Sequence, residues 1–219
     1  MKPEPTLDLL EFLLANTTLG TPPLVPEIRL RLADNVLQLW ERTEGLVTAN
    51  PAPPFWAFAW PGGQALARYF LDNADVCRGK AILDFGAGSG LVSIAAAKTG
   101  ARALAADIDP LAITAIETNA VENNVTISPI KKDMIGLDEG WDTICLGDMC
   151  YERQLAERIA DWTYTLKMRG AQILLGDPGR NYFFESNVDQ LATYEVPTSH
   201  DLEGHEIRET SVYELQAKA

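Results

Sequence analysis

The chain has 219 residues, 47% of them hydrophobic, and a formal net charge of −13. That length suffices for one α/β domain with a sizeable core, and no apolar run approaches the ~20 residues of a membrane span. The acidic balance disfavours a nucleic-acid partner, whose phosphates are held chiefly by Lys and Arg, and suits a partner that presents lysines. Met1-Lys2-Pro3-Glu4-Pro5 has neither a basic region followed by an apolar core nor an Arg/Ser-rich, acid-poor import composition. The cytoplasm is therefore the expected compartment. Thr6 to Asn16 reads as a short helix with Leu7, Leu9, Leu10, Leu13 and Leu14 on its apolar side. Thr21 to Pro26 is a proline-rich joint. Glu27 to Trp40 reads as a second helix, although Ile28, Leu30 and Leu32 also alternate as in a strand. Asn50 to Pro54 holds three prolines and is expected to be an extended linker. Residues 1–53 thus form an N-terminal helical extension and linker, and residues 54–219 form the main domain. In Gly63 to Leu71 the apolar positions fall on one helical face.

From residue 80 the rhythm is β-α-β-α. Ala81–Leu83, Ala101–Ala106, Val125–Ile130, Thr143–Leu146 and Ala171–Leu175 read as strands. Leu91–Thr99, Pro110–Asn123, Glu152–Lys167 and Tyr182–Leu191 read as helices, the second with proline tolerated in its first turn. Two late strands, Thr193–Val196 and Ile207–Leu215, have no helix between them. Such alternation predicts an α/β fold: a Rossmann-like, mostly parallel sheet with helices on both faces and an antiparallel hairpin at one edge. Cys77, Cys145 and Cys150 are too few for a disulfide framework or a metal set and suit a reducing compartment. His200 and His205 lack metal-ligand spacing and read as loop residues. No metal is expected.

The segment Asp84-Phe85-Gly86-Ala87-Gly88-Ser89-Gly90 joins the first of these strands to its helix. Glycines at such a turn let the backbone approach a ligand where a Cβ would collide. A dinucleotide fingerprint would put its third glycine at position 91, which is Leu91; here it is Gly90. Asp84 just ahead of the loop repels a pyrophosphate and attracts an ammonium. That combination points to S-adenosylmethionine (SAM), with S-adenosylhomocysteine as product.

Ligands of open α/β sheets sit at the carboxyl ends of the strands. Four such ends carry Asp84, Asp107, Asp148 and Asp177. Asp107 is placed to accept the ribose hydroxyls, with Ile108 beside it, while Asp109 before Pro110 fits a helix cap. Asp133 is placed to meet the adenine amino group and Met134 to pack on the ring, unless this stretch is an ordinary surface turn. Asp148 is placed to orient an amine nucleophile, or else to cap the next helix, and Tyr151 and Glu152 are candidates for the same pocket. Asp177 could hold a substrate ammonium and Arg180 clamp a carboxylate, unless the two pair with each other and only shape the turn. Trp56, Phe58 and Trp60 could line a lysine channel or simply pack on the sheet; Trp60, fixed by Pro61-Gly62-Gly63, is the best candidate for a cofactor lid.

Together these residues resemble the class I, seven-stranded SAM-dependent methyltransferases over residues 54–215. Asp84–Gly90 resembles that class's first motif, and residues 103–110 its second. The resemblance implies the sheet order 3-2-1-4-5-7-6 with strand 7 antiparallel. Residues 54–70, Gly147–Glu152 and Leu174–Phe183 are similar to the bacterial form of the electron transfer flavoprotein β-subunit lysine methyltransferases. Asp177-Pro178-Gly179-Arg180 matches a motif of that family. The implied activity is methylation of protein lysines on the electron transfer flavoprotein β-subunit; a monomer is expected. A small-molecule amine N-methyltransferase of the nicotinamide type and a ribosomal protein L11-type methyltransferase are the alternatives.

Overall fold

A computed structural model describes residues 8–44, 53–184, 187–198 and 203–217. Helix α1 spans Leu9–Asn16 and starts at Asp8, whose carboxylate accepts from the Leu10 and Glu11 amides. Strands β1 (Thr18–Gly20) and β2 (Leu30–Leu32) pair antiparallel, and helix α2 is Val36–Glu44. The helix expected over Glu27–Trp40 is thus split. The Arg29 and Arg31 amides donate to the side chains of Asn123 and Asn119, bonds that cross the chain instead of running up a helix. The N-terminal segment is accordingly not purely helical. In the expected linker Asn50–Pro54, residues 50–52 lie outside the described residues, as do Thr6, Leu7 and His200.

The main domain runs α3 (Pro61–Asp72), β3 (Ala81–Phe85), α4 (Leu91–Lys98), β4 (Arg102–Asp107), α5 (Pro110–Glu122), β5 (Ser128–Lys131), β6 (Thr143–Gly147), α6 (Arg153–Arg169), β7 (Gln172–Asp177), β8 (Val188–Pro197) and β9 (Ile207–Leu215). Its seven strands are ordered β5-β4-β3-β6-β7-β9-β8. Only β9 runs against its neighbours. This is the expected order. The helix expected over Tyr182–Leu191 does not form among the described residues, and residues 185–186 of that expectation lie outside them. Asn181 and Tyr182 make a turn, and the Phe183 ring after it lies 4.8 Å from that of Tyr213. From Val188 the chain pairs with β9, through a register shift between Gln190 and Ala192. Pairing with a strand far along the chain overrides local helical periodicity here.

Side chains alternate across the sheet. Ile82, Cys145 and Leu174 join α3 and α4 in one core, whereas Leu83, Ile144, Leu146, Ile173 and Leu175 join α6 in the other. Burying each large aliphatic side chain contributes about 1.5–3 kcal/mol. A third cluster ties the N-terminal segment to α5 through Leu13, Leu39, Trp56, Phe58 and Leu111.

Helix α3 begins where the ends of β6 and β7 meet it at backbone distance. A Cβ on Gly62 would overlap the Gly176 carbonyl and stand 2.6 Å from Asp148 Oδ2; one on Gly147 would lie 3.1 Å from Gly63. Gly62→Ala is expected to lower stability by more than about 2 kcal/mol, because the obstacle is backbone and cannot swing aside. The urea unfolding midpoint tests this.

Candidate active site

The strand ends and loops enclose a cavity of about 420 Å³ with mostly apolar walls. Asp84 closes β3 and is 2% exposed. Its Oδ2 accepts from the Ser93 amide (2.9 Å) and hydroxyl (2.7 Å), satisfying a free N–H in the first turn of α4. Gly86, Gly88 and Gly90 have φ of 68°, 52° and 81°, the left-handed region that glycine enters without steric cost. Gly86 and Ala87 donate to the Ala106 carbonyl, which joins the loop to the end of β4.

Burial pushes the Asp84 carboxyl up to about 6, against the Ser93 hydrogen bonds that lower it and with Asp107 adding to the rise. The folded value exceeds the ordinary value near 3.8, so between the two the native state binds more protons than the unfolded chain. Stability from this group is fully present below the ordinary value and is lost as pH rises through the folded one. The stability of Asp84→Asn relative to the parent is expected to climb from pH ~4 to ~6 and level off above, as measured by denaturant unfolding across that range.

Asp107 Oδ2 accepts from the Gly88 amide (2.9 Å) and Oδ1 from the Asp109 amide (3.0 Å), which aims the carboxylate along the glycine loop. Asp109 in turn accepts from Leu111 and caps α5 as expected. Ile108 lines the cavity and is 69% exposed. Asp133 also lines it and pairs with Arg158 at 3.0 Å. Met134 does not. It is fully buried in the α6-side core and is unable to pack on a ring in the cavity. Leu155 stands at the wall instead. Gly90 shapes the loop from behind, facing Ile116, and lies off the cavity wall.

At the other end of the cavity Asp148 follows β6 with φ of 58°, unusual for a residue with a side chain. Its Oδ2 accepts from the Gly63 amide at the start of α3 (3.1 Å). Its Oδ1 accepts from Arg180 Nη2 (2.6 Å) and Nε (3.1 Å). Burial pushes its carboxyl up to about 6 although Arg180 lowers it; Asp177 and Glu203 add to the rise. Asp148 therefore does not cap α6, which starts at Glu152 without a side-chain cap. Glu152 is exposed and off the wall. Arg180 clamps two carboxylates, Asp148 and Glu203, and not Asp177. Asp177 accepts from the Gly179 and Arg180 amides, both at 2.7 Å. It is 3% exposed and does not line the cavity, so it shapes the turn and is not placed to meet an ammonium.

Trp60 lines the cavity between Phe55 and Phe58, donates its indole N–H to the Phe55 carbonyl, and lies under Arg180 at 5.7 Å. Tyr151 completes this collar, 5.4 Å from Phe55. Trp56 also lines the cavity; its indole nitrogen is buried without a hydrogen-bond partner. Cys150 is buried, its thiol pushed up to about 12 by burial, with Asp177 and Asp148 adding to it. Sequence reasoning missed Phe55, Glu203 and the Gly62–Gly176 contact. Their only sequence signals were an aromatic run and a Gly pair beside proline; for Glu203 there was none.

The donor set fits an adenosine-bearing cofactor. A carboxylate at the end of β4, where a ribose is held in open α/β sheets, adjoins apolar walls and a loop with no side chain at Gly86 or Gly88. Asp107 and Asp133 would hold the nucleoside, and the glycine loop with Asp84 the amino-acid end.

Comparison with known proteins gives three results. The family model described as ribosomal protein L11 methyltransferase (PrmA) matches residues 64–144. The electron transfer flavoprotein beta subunit lysine methyltransferase of Danio rerio is 39% identical over 96% of this chain and 84% of its own length; that of Homo sapiens is 38% identical over 94% and 81%. Magnesium protoporphyrin IX methyltransferase of Synechocystis PCC 6803, solved with bound S-adenosylhomocysteine, shares the fold at 17% identity. It has a TM-score of 0.54, over 83% of this chain and 94% of its own.

Proposed function

This chain belongs to the electron transfer flavoprotein β-subunit lysine methyltransferase family, and from that premise we propose that it transfers methyl groups from SAM to lysine side chains of that subunit. The observation that carries the reading is identity of 38–39% along almost the whole chain, acceptor side included. The L11-type match ends at residue 144, before Asp148, and so covers the cofactor side alone. The cytoplasmic location and monomeric state expected from the sequence belong to the same proposal; three buried thiols are compatible with a reducing compartment.

Bound SAM supplies an electrophilic methyl group on its sulfonium. The chain has to bring a neutral amine to it in line. Lysine ordinarily titrates near ~10.4, so a carboxylate near 6 is too weak a base to hold its proton at neutral pH. Asp148 acts by orienting the amine through a hydrogen bond. Desolvation among Phe55, Trp60 and Tyr151 favours the uncharged amine, while their ring faces still attract the ammonium that enters. The proton leaves to solvent before the new N–C bond forms. Arg180 keeps Asp148 anionic despite burial.

The test is transfer from labelled SAM to purified electron transfer flavoprotein, with nicotinamide and L11 as parallel acceptors, read by intact mass and peptide mapping. Label on β-subunit lysines is the expected result. Turnover on nicotinamide or L11 with none on the flavoprotein would overturn the substrate assignment.

A further inference from the structure

We propose that Glu203 is a positioning residue for methyl transfer: from the loop between β8 and β9 it holds the Arg180 guanidinium against Asp148, and so fixes the carboxylate at the acceptor end of the cavity. The inference rests on the methyl-transfer reading of that cavity. Arg180 uses its planar fork in two directions. Nη1 and Nη2 donate to Glu203 Oε2 (3.1 Å) and Oε1 (2.6 Å), while Nη2 and Nε donate to Asp148 Oδ1. The Glu203 side chain is 2% exposed, more buried than Asp148 at 8% or Arg180 at 18%.

A carboxylate that deep persists only when paired. Glu203 has a second cation near it, Arg208 of β9, 3.7 Å away, whose Nη2 donates to the Pro178 carbonyl. Asp148, Arg180, Glu203 and Arg208 therefore alternate in sign. Without Glu203 the guanidinium would keep only Asp148 Oδ1 and the Trp60 face, and nothing would set its angle about that one oxygen. Glu203 does not line the cavity: its hydrogen bonds act on the site through Arg180, and its charge also raises the Asp148 carboxyl directly. The charged and titratable groups facing Asp148 are Arg180 from the turn after β7, Asp177 from its end, Glu203 from the hairpin loop, and the Cys150 thiol.

Two full-length variants separate geometry from charge. Glu203→Gln keeps an acceptor for the guanidinium and loses the negative charge. It should retain most of kcat while the Asp148 titration midpoint drops by about half a pH unit, the acid limb of the rate profile moving with it. Glu203→Ala frees the guanidinium and should lower kcat roughly tenfold with SAM affinity unchanged. The midpoint is read by carboxyl carbon NMR, with Asp148→Asn assigning the signal; rates are read in single turnovers at saturating SAM. An unmoved Asp148 midpoint in Glu203→Gln, or a wild-type kcat in Glu203→Ala, would overturn the proposal. So would a loss of melting temperature and rate together in both variants with that midpoint unmoved. If the parent protein methylates none of the acceptors, the functional reading fails, and the carboxyl titration, which needs no acceptor, still decides the Glu203–Arg180–Asp148 coupling.

Discussion

Asp148→Asn is expected to lower turnover on a lysine acceptor by roughly a hundredfold while SAM binds nearly as before. Asparagine preserves the shape of the side chain and an oxygen for the Gly63 amide, so the start of α3 stays in place. What disappears is the negative charge that, in the proposed mechanism, meets the entering ammonium and orients the amine. The same change leaves Arg180 facing a neutral amide on one side and Glu203 on the other. Asp148→Ala is the harsher variant. It also deprives the Gly63 amide of its partner and the half-buried Arg180 guanidinium of one of its two carboxylates, and a loss of about 1–3 kcal/mol in stability is expected alongside the loss of rate. Single-turnover transfer at saturating SAM, together with calorimetric titration of SAM, separates the two effects. Normal turnover in Asp148→Asn, or a parallel loss of cofactor binding, would count against the acceptor-side role.

Gly88→Val should weaken SAM binding more than about a hundredfold, with a stability loss of only about 1–2 kcal/mol. Gly88 has φ of 52°, its amide donates to Asp107 Oδ2, and a Cβ there would lie 3.6 Å from the Trp56 backbone. A β-branched residue resists that backbone conformation. The loop must shift, and the hydrogen bond that aims Asp107 goes with it. The contacts that hold β3 and α4 in the core, through Ile82, Leu83 and Ile94, are untouched. Calorimetric titration and thermal unfolding on the same preparation are the check. A valine variant that binds SAM like the parent would remove the glycine loop from the cofactor site.

Much of the fold is legible in short stretches. Ala81–Phe85 and Thr143–Gly147 are dense apolar runs flanked by turn residues, and such runs suit strands covered on both faces. Asp109-Pro110 marks the start of α5 by cap and pre-set φ. Spacing of Gly86, Gly88 and Gly90 encodes a loop because positive φ is a property of single residues. Legibility fails where the deciding partner is far along the chain. Tyr182–Leu191 carries a helical pattern, yet Val188 onward pairs with β9 and Phe183 packs on Tyr213. Met134 follows Asp133, which lines the cavity, but turns into the core cluster that also holds Trp141.

The sequence by itself determined the alternation of strands and helices, the glycine-rich loop and the acidic strand ends, because propensity, periodicity and turn chemistry reside in neighbouring residues; the strand order followed from the family resemblance. Only the tertiary structure decided what those acids do. Asp177 and Asp148 look alike in the chain, each closing a strand before a turn. Packing gives Asp177 to two amides of its own turn and gives Asp148 to Gly63 from α3 and Arg180 from the turn after β7. Glu203 enters the site only because β8 and β9 fold back beside β7, bringing a carboxylate twenty-three residues beyond Arg180 within hydrogen-bond reach of it.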